Sequence, residues 1–252
     1  MPKLSRPIKS VIGAVVLFVL FEILFFRFWS FLGFSIVAMA VLLTLLAWVE
    51  KKKFFETTSL IKIVLPVILY IATVAFIFFE ANTIFVHLVI ILSSFCFYLF
   101  FSRMKFPLPK EESVIVTYYW LDLILFLTAF LSYLLIHNLL FIKQFPIWVL
   151  MVLVTLISYL LFNYVLWARS KEGRAVPLFS SLFALIVLES FLIMTFWNVN
   201  PVPKSLIMII VLYFYLGVLD LKLRGALTGK KIIEYLLISV VASLLVIISV
   251  KW

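Results

Sequence analysis

The sequence predicts an all-α, polytopic integral membrane helix bundle of about nine transmembrane helices, with the N-terminus cytoplasmic and the C-terminus outside. Three observations carry that prediction. The first is composition: 67% of the 252 residues are hydrophobic and 13% are charged, where a soluble domain sits nearer ~45–50% and ~25%. Mean hydropathy is +1.30, and no polar stretch is long enough to form a soluble domain. The second is the length of the apolar runs, measured against the ~20 residues a helix needs to cross a ~30 Å hydrocarbon core. The third is the placement of Lys and Arg, which alternates between rich and poor connections along the chain.

Taken in order, the basic start MPKLSRPIKS leads into an apolar run with no small-residue cleavage pattern, so it reads as an uncleaved first span. Ser10 to Val49 is twice a span length and divides at Arg27 and Ser30 into spans 10–27 and 30–49. The run ending at Phe101 divides in the same way at Glu80-Ala81-Asn82, into 60–79 and 83–102. After a polar, proline-bearing linker, Val114 to Ile142 is too long for one upright helix. It either tilts or ends at His137-Asn138 and continues along the interface, and is taken as 114–137. Four more spans follow at 146–168, 177–197, 205–221 and 232–250, within one transmembrane domain.

Counting Lys and Arg tests this order, because basic residues collect on the cytoplasmic side. Connections on one side hold seventeen, including Lys51 to Lys53 and Lys230-Lys231. Those on the other hold four, Arg27, Lys143, Lys204 and Lys251. A single miscounted span would invert every later connection, so the asymmetry supports nine. The tryptophans agree: Trp48, Trp120 and Trp167 fall near cytoplasmic ends and Trp29, Trp148, Trp197 and Trp252 near outer ends, where indoles prefer to sit. Spans two and three (Trp48, a basic loop, Pro66) also resemble spans six and seven (Trp167, a basic loop, Pro177), the pattern of a weak parallel repeat.

The same residues exclude several classes of function. The net charge of +10 lies in short juxtamembrane clusters that orient the chain, so no nucleic-acid partner is expected. No phosphate-cradling glycine loop occurs, so neither nucleotide nor cofactor is expected. Two histidines and one cysteine, Cys96, in separate spans offer no metal-ligand spacing and no intramolecular disulfide. The GxxxG at Gly225 to Gly229 lies in a basic loop and reads as a turn. Ser239, Ala242 and Ser243 form a small-residue packing face on span nine.

What remains is a set of membrane-embedded polar groups. Glu189 stands in the middle of span seven among apolar neighbours, and a charge there costs at least about 2.5–3.5 kcal/mol. It is the first candidate for substrate or proton binding, followed by Asp122, Glu22, His87 and His137. Glu22 has Arg27 five residues away as a local partner, and Asp122 has Tyr118 and Tyr119 one turn before it. Glu80, Asn82, Asn198 and Asn200 lie in outer turns. Together these groups suggest an outward-facing vestibule with Glu189 at its floor and Arg27, Lys143 and Lys204 at its rim. Each also has a structural alternative, as an interfacial or helix-packing residue.

The run Leu227-Thr228-Gly229-Lys230-Lys231-Ile232-Ile233-Glu234-Tyr235-Leu236-Leu237-Ile238, with the closing Val250-Lys251-Trp252, resembles the end of a family of multi-span membrane proteins from bacteria with reduced genomes. The resemblance covers about a tenth of the chain. It implies a membrane fold and no activity. Three functions are compatible with the sequence: a small transporter or carrier of the cell membrane, an enzyme acting on a lipid-linked substrate from the outer leaflet, and an accessory subunit of a larger membrane complex. The expected partners are the lipid bilayer and, in the last case, another membrane protein.

Overall fold

A computed structural model describes residues 6–26, 31–50, 57–80, 82–103, 113–143, 145–169, 176–223 and 225–250. Arg27, Trp29, Trp252 and many loop cations, among them Lys51 to Lys53, lie outside these residues, as do the side chains of Tyr118 and Lys143. The described residues form nine helices: α1 (Arg6–Phe26), α2 (Phe31–Glu50), α3 (Thr57–Phe79), α4 (Thr83–Arg103), α5 (Ser113–Lys143), α6 (Ile147–Arg169), α7 (Val176–Thr195), α8 (Pro201–Leu223) and α9 (Gly229–Ser249). Seven are long and apolar enough to cross a membrane over their described residues, and the corresponding stretches of α2 and α3, Gly33–Trp48 and Ile63–Phe79, are shorter. Helix is the form a chain must take here, because hydrocarbon offers no partner to an open backbone N–H or C=O.

The helices outrun the apolar segments at several ends. α8 begins at Pro201 rather than 205, since proline's fixed φ suits a first helical position. α9 begins at Gly229 and takes Lys230 and Lys231 into its first turn. Apolarity measures the hydrocarbon, whereas hydrogen bonding carries the helix on into the interface. α5 is unbroken through His137-Asn138 for 31 residues, a rise of about 46 Å. Gly225 closes α8 with φ +66°; its N–H reaches the Lys222 carbonyl and that of Ala226 the Leu221 carbonyl. Those two bonds are a Schellman cap, which needs the left-handed residue glycine provides.

The chain forms two compact units, Met1–Leu131 and Ser132–Trp252, and the boundary falls within α5. In the first unit α1 packs on α2, α3 and α4. Leu17, Phe21 and Leu24, spaced four and three apart, form its buried face. Phe21 meets Phe97 of α4 at 6.2 Å and Tyr70 of α3 at 5.7 Å between ring centres. Gly13 lies against the Phe101 ring, where an added Cβ would come within 3.1 Å. Hydroxyls tie the helices further: Tyr70 donates to the Ser35 carbonyl at 2.8 Å. The Thr73 hydroxyl lies 2.8 Å from the Leu69 carbonyl and 2.9 Å from the Ser93 hydroxyl of α4.

In the second unit α6 packs on α7, α7 on α8, and α8 on α9. Phe162 and Phe183 stack at 4.0 Å with their planes 13° apart, and Tyr133 of α5 meets Ser158 of α6 at 3.0 Å. The α9 helix buries none of its residues, and Ile233, Leu237, Leu245 and Ile248 are exposed. Its partly covered residues, including Tyr235, Ser239, Ala242 and Ser243, share one face at helical spacing, the small-residue face read from the sequence. Gly217 of α8 receives the Tyr235 ring there, leaving no room for a Cβ.

Contacts within each unit agree with the alternating order of spans. Lys9 near the start of α1 sits 4.3 Å over the Trp48 ring near the end of α2. Arg169 at the end of α6 pairs with Asp220 near the end of α8 at 3.4 Å. Lys222 lies over Phe179 at the start of α7. Basic residues and tryptophan thus gather where the charge count assigns the cytoplasmic side.

Candidate functional site

Two polar constellations form, one in each unit, and each lies at the helix ends that the charge count assigns to the outside. In the first unit, Glu22 is one turn before the end of α1 and His87 one turn after the start of α4. Because these antiparallel helices pack together, the residues meet: His87 Nδ1 lies 3.0 Å from Glu22 Oε1. The imidazole donates and the carboxylate accepts. Phe25 stands edge-on to the His87 ring at 4.9 Å and Phe26 tilts against it at 6.4 Å, so apolar rings flank the pair. The side chains remain 22% and 36% exposed, acid and imidazole respectively, enough to exchange a proton with the surroundings.

The neighbouring turn is structural. Asn82 Oδ1 accepts the Phe85 N–H at 3.3 Å and so caps α4, while Glu80 Oε1 accepts the Asn82 N–H at 3.0 Å. Glu80 and Asn82 are thereby explained by the α3–α4 connection.

In the second unit, the end of α5, the end of α7 and the start of α8 enclose a cavity of about 450 Å³. His137 lines it and is 2% exposed. Its Nδ1 lies 2.9 Å from the Tyr133 carbonyl, which can only accept, so that nitrogen carries a proton. Ser205 Oγ stands 3.4 Å from the same nitrogen and donates to the Pro201 carbonyl at 2.8 Å. His137 Nε2 is buried with no hydrogen-bond partner. The Phe191 ring packs beside the imidazole at 5.4 Å. Lys204, 6% exposed, lines the same cavity with Asn198, Thr195 and Trp197.

The residues singled out from the sequence therefore part company. Glu22 and His87 come together, and Arg27, the local partner the sequence offers Glu22, lies outside the described residues. His137 joins Lys204 and Asn198 at a cavity wall, more deeply buried than an interfacial residue would be. Glu189 does not line that cavity. The buried face of α7 runs through Ser180, Phe183, Ala184, Val187 and Phe191. Glu189 is two residues past Val187, about 200° round the helix, and is exposed on the opposite side. Asp122 is half-buried and engaged with other groups, and Tyr119 is exposed. Among the described residues no three His, Cys, Asp or Glu side chains gather as a metal would require.

Sequence reading placed Lys204 at a rim and passed over Ser205. The available signal was position: both stand in the first turn of α8 behind two prolines, in an outer connection with no other cation. No protein-family model, curated protein or solved structure matches the chain.

Proposed function

We propose that this chain is a small membrane carrier in which Glu22 and His87 form the proton-binding site. The observation that supports it is the 3.0 Å contact between an acid and an imidazole contributed by two different apolar helices. Ionisable groups within membrane helices are costly and tend to mark ion and proton routes. Histidine is the side chain whose unperturbed titration lies nearest neutrality.

With a proton on each imidazole nitrogen and none on the acid, the pair is neutral overall. When one imidazole proton leaves, the pair carries a single negative charge while Nδ1–H still reaches Glu22. The site thus alternates between charge zero and minus one without breaking its hydrogen bond. The charged form is the costlier in hydrocarbon, so proton release favours whichever arrangement of α1 and α4 admits water. That difference couples protonation to conformation, as a carrier requires.

The test is proton movement in proteoliposomes holding a pH-sensitive dye, challenged with a panel of organic acids, amino acids, sugars and inorganic anions. The expected outcome is a solute class that moves protons with the wild-type chain and fails to do so with Glu22→Gln or His87→Gln. Solute-driven proton movement that persists at the wild-type rate in both variants would remove the pair from the mechanism.

A further inference from the structure

We infer that the cavity bounded by His137, Asn198 and Lys204 is a binding site for a phosphate group, carried either on a lipid headgroup or by free phosphate. It lies wholly within the second unit and stands apart from the proton reading, which concerns α1 and α4.

The argument begins with charge. Lys204 is 6% exposed and lines the cavity, and no hydrogen bond or ion pair to its ammonium is found among the described residues. Among the described residues, every side chain lining the cavity is neutral or basic and none is a carboxylate. The Lys204 ammonium is not among the buried atoms that lack a partner, so it opens to the cavity it lines. A cation held there by a largely buried stem, with no described carboxylate beside it, is complementary to an anion.

Position strengthens this. Lys204 stands in the first turn of α8, where backbone dipoles present positive charge and unbonded N–H groups. Pro201 and Pro203 carry no N–H, which leaves those of Val202 and Lys204 as first-turn donors. Helix starts with a nearby cation are ready-made for phosphate. His137 adds a second side chain more than nine-tenths buried at the cavity wall, with Nε2 unpartnered. Nε2 is itself closed to solvent, so a phosphate oxygen reaches it, as acceptor or when protonated as donor, only with a shift of the ring. Asn198 offers a neutral amide that can do either.

Depth and size select the class of anion. Trp197 lines the cavity, and an indole prefers the headgroup level, where the abundant anionic group is phosphate. About 450 Å³ accommodates a phosphate with a small substituent attached.

The experiment uses the full chain in a maltoside detergent, which contains no phosphate. One arm titrates inorganic phosphate and reads saturation transfer by ³¹P NMR. The other adds phosphatidic acid or phosphatidylglycerol, with diacylglycerol as the phosphate-free control, and reads retained lipid by native mass spectrometry. We expect at least one phosphate source to bind, binding at least tenfold weaker in Lys204→Gln, and recovery in Lys204→Arg. Binding of inorganic phosphate alone identifies a soluble ligand, and binding of phospholipid alone a headgroup. Should Lys204→Gln fail to fold, ¹⁵N-labelled histidine in a His87→Gln background leaves His137 as the single imidazole, whose signals must move when the binding source is added. No binding of either source at millimolar concentration, unchanged binding in Lys204→Gln, or a motionless His137 signal would overturn the inference.

Discussion

In the first unit the imidazole of His87 meets a carboxylate from a neighbouring helix at 3.0 Å. In the second, the imidazole of His137 meets a backbone carbonyl and a hydroxyl, and the charged residue that shares its cavity is a lysine. His87 stands near the start of its helix and His137 near the end of its own, ends that the charge count assigns to the outside, yet their surroundings differ in sign. A histidine balanced by an acid can hold or release a proton without an outside partner. A histidine set beside an unbalanced lysine forms a site short of negative charge, complementary to an anion. Location within the bilayer is thus a poor guide to a polar residue's role until the charges facing it are known.

Five tests can break or sharpen that contrast, beginning with the largest effect. Topology underlies it, because only the charge count assigns each site to the outer side. A reporter active only outside the cytoplasm should be active when fused after span nine and silent within the loop spanning Arg169 to Arg174; the reverse pattern would place both sites on the cytoplasmic side. Next, Glu22→Gln is expected to lower solute-driven proton movement in vesicles by tenfold or more, while Glu189→Gln leaves it at the wild-type rate. A large loss in Glu189→Gln would restore the acid of α7 to the mechanism and weaken the case for the first unit.

The packing predictions are smaller and probe the stability of the second unit. Phe183→Ala removes one ring of the 4.0 Å stack on Phe162 and should cost about 3 kcal/mol, as large-to-small core changes do, read as a lower denaturation midpoint of the detergent-solubilised chain. Gly217→Val forces a side chain into the space of the Tyr235 ring, and overpacking of this kind costs about 1–3 kcal/mol. Its signature should be faster hydrogen exchange confined to α9, with α6 and α7 unaffected. Tyr133→Phe removes one interhelical hydrogen bond to Ser158 and should cost only about 0.6 kcal/mol, the average for membrane proteins. A loss several times larger would show that this hydroxyl also holds the His137 wall in place.

Much of the fold was legible because the bilayer imposes a single length scale. Apolar runs such as 83–102 and 146–168 lie within one residue of α4 and α6 at each end. The reading loosened where two lengths compete: α5 exceeds the hydrocarbon thickness and α8 starts ahead of its apolar run. Asp220 pairs with Arg169 of another helix, a partnership fifty-one positions apart that no local pattern encodes. The small face of α9 was readable, because Ser239, Ala242 and Ser243 recur at helical spacing.

The candidate sites were legible only as a list of types. Glu22, His87 and His137 could be named because ionisable residues in apolar helices are rare. Their partners lie 65 residues away for Glu22 and His87 and 68 for Ser205 and His137, and no local pattern encodes such a separation. Glu189 shows the converse. Its rarity made it the first candidate, yet the face on which it lies depends on which side of α7 meets α6 and α8.

By itself, the sequence determined that this protein is a helical membrane protein, because its apolar runs match the hydrocarbon thickness and its cations collect on alternate connections. Those are properties of each segment against its solvent, so they need no neighbour to be read. Only the tertiary structure decided which helices face one another. It thereby joined Glu22 to His87, enclosed Lys204 beside His137 and turned Glu189 outward, since lipid is as apolar as the helix surfaces and the choice of contact rests on side-chain shape and a few hydrogen bonds.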